Sequence, residues 1–103
     1  MQLAQTPNSH STVFSVNDQD FEAKVLKSAL PVIVDFWAEW CPPCHALTPV
    51  YQQYSQDYKG RMHFAKMNAE ENQTIPAYYG IQAMPTLVIF KDGKAVARFV
   101  GFH

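Results

Sequence analysis

The chain carries only two cysteines, Cys41 and Cys44, separated by Pro42 and Pro43. A disulfide between them closes so small a loop that it removes little entropy from the unfolded chain. A secreted fold stapled by disulfides needs several cysteines spread along its length. The pair therefore reads as chemistry rather than scaffolding. Trp40-Cys41-Pro42-Pro43-Cys44 lies where an apolar strand gives way to a helix. A helix N-terminus presents unpaired N–H groups and a partial positive charge, and both favour thiolate over thiol. Thiolate is the attacking form in disulfide exchange. Cys41, on the loop side, is expected to be exposed and to attack. Cys44, one turn inward, is expected to be shielded and to resolve the mixed disulfide.

Other uses of the pair stay open at this level. A zinc site would need two more ligands, yet there is no second C-x-x-C, and His10, His45, His63 and His103 have no ligand spacing. An inert structural disulfide is the other alternative.

The elements that must position the cysteines follow from the pattern around them. Val32 to Trp37 is an almost continuous apolar run, as in a strand buried on both faces of a parallel sheet. Asp35 is its one charge. Ala38 to Pro43 reads as a loop. A helix starts near Cys44, with Leu47, Val50, Tyr51, Tyr54 and Tyr58 at helical spacing. Pro49 should kink it, and Gly60 ends it. Upstream, Val13 to Val16 is a short strand. Asn17 or Asp18 caps a helix carrying Phe21, Val25, Leu26 and Ala29 on one face, stopped by Pro31. Downstream come a strand from Met62 to Met67, interrupted by Lys66, and a short helix from Thr74 to Tyr79. A hairpin closes the pattern: Thr86 to Phe90, a turn with Asp92-Gly93, then Ala95 to Val100. The order βαβαβαββ implies an α/β fold with a central mixed sheet.

With 103 residues the chain is one domain, residues 13–103, after a polar arm over 1–12. Seven Phe, five Tyr and two Trp, in a composition 48% hydrophobic, supply a core. A net charge of −1 argues against a nucleic-acid partner, which would want a basic patch. No apolar run reaches the ~18–20 residues of a membrane span. The arm has no Lys or Arg and no apolar block, so it does not read as a secretory signal, and a cytoplasmic protein is expected.

The segment Val34-Asp35-Phe36-Trp37-Ala38-Glu39-Trp40-Cys41, followed by Pro43-Cys44, resembles the thioredoxin active-site segment. The similarity runs on through Pro49, Phe64-Ala65-Lys66-Met67-Asn68, Tyr79-Gly80-Ile81, Met84-Pro85-Thr86 and Phe90-Lys91-Asp92-Gly93 to Gly101. The resemblance implies the thioredoxin fold, about five strands flanked by helices, and a thiol-disulfide oxidoreductase that reduces other proteins' disulfides without a bound cofactor. A flavin-dependent reductase would regenerate it. Cys41 would attack and Cys44 resolve. Asp35 would take the proton from Cys44, with Lys66 its buried cationic neighbour. Asp35 also reads as a buried carboxylate paired with Lys66 for structure alone. Pro85 would be a cis-proline facing the cysteines, and Met84 would offer its backbone to an extended substrate. Trp40, Ile81, Ala83, Met84 and Gly101 would form the apolar patch that docks substrates.

The sequence departs from this family in three places. Pro42 stands where Gly is usual, which removes an N–H that could solvate a sulfur. With Pro43 it tunes the redox potential, and this leaves a thiol oxidase or disulfide isomerase as an alternative. His45 stands where Lys is common and, if protonated, would lower a nearby thiol pKa. The family's final amphipathic helix has no counterpart after Gly101. The last two strands are therefore expected to lack cover on one face, in a monomer able to associate there. A binding module with incidental cysteines is the remaining alternative.

Overall fold

The computed structural model describes residues 12–102. Of the expected arm, residues 1–11 lie outside the described residues, as does His103. Thr12, its last residue, shares a hydrogen bond with Ser55.

Five strands form one mixed sheet: β1 (Val13–Ser15), β2 (Val32–Trp37), β3 (His63–Asn68), β4 (Thr86–Lys91) and β5 (Lys94–Val100). Their spatial order is β1-β3-β2-β4-β5. β1, β3 and β2 run parallel, and β4 and β5 are antiparallel to their neighbours. β2 is therefore central and buried from Val32 to Phe36. That position explains its apolar run, since neither face meets water. The mixed α/β fold inferred from sequence is the one observed.

Alternate residues of β2 feed two cores, as strand geometry requires. Val32, Val34 and Phe36 pack with Phe21, Val25, Met67, Val88 and Phe90. Ile33 packs on the other face with Phe64 and with Leu47 and Tyr51 of helix α1 (Pro42–Asp57). The Tyr51 hydroxyl lies 2.7 Å from the Ala65 carbonyl and 3.0 Å from that of Ile33, so α1 is pinned to β2 and β3 together. The helix continues through Pro49.

Two expectations need correction. The first helix does not reach Ala29: it is a single π-helical turn, Glu22–Leu26, and Ala29 lies exposed beyond it. Ser28 ends it, because its hydroxyl donates to the Leu30 carbonyl and accepts the Leu30 N–H, bonds that compete with helix continuation. Asn17 and Asp20 exchange side-chain and backbone bonds across its entry. Asp18 serves another helix: its carboxylate accepts the N–H groups of Gln73, Thr74 and Ile75 at the start of α2 (Thr74–Tyr78). Second, α1 begins at Pro42, not near Cys44. Proline suits the first turn, where its missing N–H has no partner to lose.

The hairpin turn has φ 53° at Asp92 and 80° at Gly93, the pair of positive values that a two-residue turn needs. On the hairpin's α1-side face, Leu87 and Ile89 are half-buried and Phe99 is 53% exposed. Phe102 packs against that cluster. Among the described residues no helix is long and apolar enough to cross a membrane.

Candidate active site

β2 ends at Trp37, and a four-residue connection delivers Cys41 to the N-cap of α1. Cys41 and Cys44 form a disulfide with Cα atoms 5.3 Å apart. Pro42 and Pro43 have no N–H, so the first amide of the helix free to donate is that of Cys44. It lies 3.2 Å from Cys41 Sγ. The same N–H lies 3.1 Å from the Cys41 carbonyl oxygen, so one donor, shared with that carbonyl, supports charge on the Cys41 sulfur, where the helix dipole also favours it.

Cys41 is not exposed as expected. Both cysteines are only 2% accessible and pack among Ala38, Trp37 and Met84. The cover comes from residues distant in sequence: Cys41 Sγ lies 3.4 Å from the Met84 carbonyl oxygen. What separates the two sulfurs is the N-cap geometry, which gives the Cys44 amide to Cys41.

Met84 precedes a cis peptide bond to Pro85. Pro85 is buried, and its carbonyl accepts the Gly101 N–H at 2.8 Å, so the end of β5 is tied to the same loop. Gly101 has φ 85°, a conformation that side-chain-bearing residues rarely adopt. Of the residues expected to form a docking patch, Trp40 is 64% exposed, Ala83 is exposed, and Ile81, Met84 and Gly101 are partly accessible.

Asp35 is buried in β2, and among the described residues its Oδ1 has no hydrogen-bond partner. Burial raises its pKa to about 6, the Lys66 charge opposing only in part. Register pairs Asp35 with Lys66 on β3. No direct ion pair joins them among the described residues; Lys66 Nζ instead sits 4.6 Å above the Trp37 ring centre. Burial, and next the Asp35 charge, push the Tyr51 phenol well above its usual pKa, so Asp35 acts into the layer between β2 and α1. A carboxyl titrating near neutrality suits proton transfer.

His45 brings its ring to the loop before the cysteines, Nε2 lying 2.6 Å from the Glu39 carbonyl oxygen. Glu70 Oε1 accepts the Glu39 N–H at 3.4 Å. No local sequence signal marks this pairing, since its partners are 31 residues apart. Helical spacing places Tyr51 on α1 but carries no sign of its two carbonyl contacts.

A disulfide at a helix N-cap, beside a cis-proline and above a central mixed sheet, defines a dithiol-disulfide oxidoreductase. The Thioredoxin family model matches residues 12–103. The thioredoxin of Rickettsia bellii (strain RML369-C) is 49% identical over 89 residues, covering 86% of this chain and 85% of its own. That of Rickettsia felis (strain ATCC VR-1525 / URRWXCal2) is 50% identical over 89 residues, covering 86% and 85%. A Pseudomonas aeruginosa thioredoxin is 46% identical over the same length, covering 86% and 82%. The chain belongs to the thioredoxin family.

Proposed function

We propose that this thioredoxin works in the cytoplasm in the reducing direction, taking electrons from a flavin-dependent reductase and passing them to disulfides of other proteins. The observation that carries the reading is the Cys41–Cys44 disulfide at the head of α1, with the Cys44 amide within reach of Cys41 Sγ. In the reduced protein the Cys41 thiolate attacks one sulfur of a substrate disulfide. A mixed disulfide forms, and the other substrate sulfur leaves as thiolate. The Asp35 carboxylate takes the Cys44 proton. The Cys44 thiolate then attacks Cys41 Sγ, the mixed disulfide breaks, and the second substrate thiolate departs. Two electrons have moved to the substrate, and the Cys41–Cys44 disulfide is restored.

Lys66 tempers the Asp35 pKa through its charge. Trp40, Ile81, Ala83, Met84 and Gly101 form the docking patch, with Met84 lending its backbone to an extended substrate segment. Pro42 and Pro43 set the potential by limiting amide support to one donor.

Titration of the Cys41–Cys44 pair against dithiothreitol and glutathione buffers tests the direction. The expected midpoint lies below the extracted cytosolic glutathione poise of about −220 to −260 mV. A midpoint near the roughly −120 mV of a strong periplasmic oxidant would make the protein an oxidase or isomerase instead. A Cys41→Ser variant with full biological activity would leave only a binding module.

A further inference from the structure

Both ends of the connection Ala38–Cys41 are buried, while Glu39 and Trp40 between them are exposed. One backbone bond, Cys41 N–H to the Ala38 carbonyl at 3.3 Å, spans it. Trp40, within it, is 64% exposed. The residue before Trp40 is nevertheless held on both sides. Glu39 has its N–H 3.4 Å from Glu70 Oε1 and its carbonyl oxygen 2.6 Å from His45 Nε2. A carbonyl has no hydrogen to give, so His45 donates from Nε2. The ring is braced behind by Trp37, edge-on with centroids 6.1 Å apart. His45 itself is fixed on α1, its N–H lying 3.3 Å from the Cys41 carbonyl.

We propose that His45 is a positioning residue for protein substrates: by tying the Glu39 carbonyl to α1 it holds the loop that presents Trp40 beside the disulfide. The proposal rests on the reading of Trp40 as part of the docking patch. The imidazolium and the neutral Nε2–H tautomer donate alike, so the tether does not depend on charging the ring. Small disulfides, which reach the sulfurs without docking, are indifferent to it. Folded proteins, which must rest on Trp40, are not.

His45→Phe keeps a ring against Trp37 and removes the donor; His45→Gln restores a donor. Reduced protein is assayed with insulin as protein disulfide and with dithiobis(nitrobenzoate) as small disulfide, alongside the redox midpoint and Tm. His45→Phe is expected to raise the KM for insulin about fivefold relative to that for the small disulfide, which is what a lost hydrogen bond worth about 1 kcal/mol gives. His45→Gln should recover most of it. An unchanged ratio overturns the proposal. So does an equal fall on both substrates with a lower Tm, which marks a structural role, or a moved midpoint with an unmoved ratio, which marks an action on sulfur. Trp40→Ala separates the premise from the proposal. If it leaves the ratio unchanged, the docking patch is wrong. If it raises the ratio while His45→Phe does not, only the His45 tether is wrong.

Discussion

Asp35 is where a single residue ties stability to chemistry. Its carboxyl holds a proton up to about pH 6 in the fold, against an ordinary value of 3.8. Because the folded value is raised, protonated Asp35 contributes stability in full below about pH 4, and that contribution is lost as pH rises through 6. The difference is on the order of 3 kcal/mol once the group is ionised. Asp35→Asn is therefore expected to stabilise the protein by up to that order at pH 8 and by almost nothing at pH 4, as read from denaturant unfolding at the two pH values. An equal effect at both would sink the burial argument. The same variant should slow disulfide reduction at pH 7 by up to about 100-fold, since the Cys44 proton loses its acceptor. Asp35 could be singled out from sequence because one charge in an apolar strand is conspicuous. The burial of Cys41 could not, because Met84 covers it from 43 positions away.

The elements show the same division between local and distant causes. Strands β2 to β5 were legible because alternation, an apolar run and an Asp-Gly turn are local signals. Apolar residues at helical spacing run past the end of the first helix, while the Ser28–Leu30 bonds that stop it leave no periodic trace. Asp18 looked like a cap for that helix, yet it caps α2, more than fifty residues on. Burial raises the Asp18 pKa, but the three amide bonds from Ile75, Thr74 and Gln73 outweigh it and lower the net value. Its stabilisation is therefore present above about pH 4 and lost as pH falls through the lowered folded value. Asp18→Ala should cost about 1–2 kcal/mol near neutrality, the range of a strong cap. Hydrogen exchange should quicken at Ile75 and Thr74 more than in α1. Uniformly faster exchange would mean that Asp18 supports the whole fold instead.

At the scale of the molecule, the two faces of the closing hairpin are unequal. Phe90 is 1% exposed and locked between the sheet and Phe21, with ring centroids 5.2 Å apart. Phe99 pairs across the hairpin with Leu87, yet 53% of it meets water. Ile33, Tyr54, Tyr58, Met62, Phe64, Leu87, Ile89 and Phe99 line one apolar groove there, and Phe102 packs against the same cluster. The inequality predicts opposite results from like changes. Phe90→Ala should cost about 3–5 kcal/mol, because it opens a cavity in a closed core. Phe99→Ser should cost about 1 kcal/mol or less, because half the ring is already hydrated and a full burial is worth only about 1.5–3 kcal/mol. It should also lower the fluorescence of anilinonaphthalene sulfonate bound to the native protein, since the dye seeks exposed apolar surface. Denaturant unfolding and dye titration of the two variants check both statements. If Phe99→Ser costs as much as Phe90→Ala, this face is covered in solution, and light scattering on the same samples then shows whether a second copy covers it.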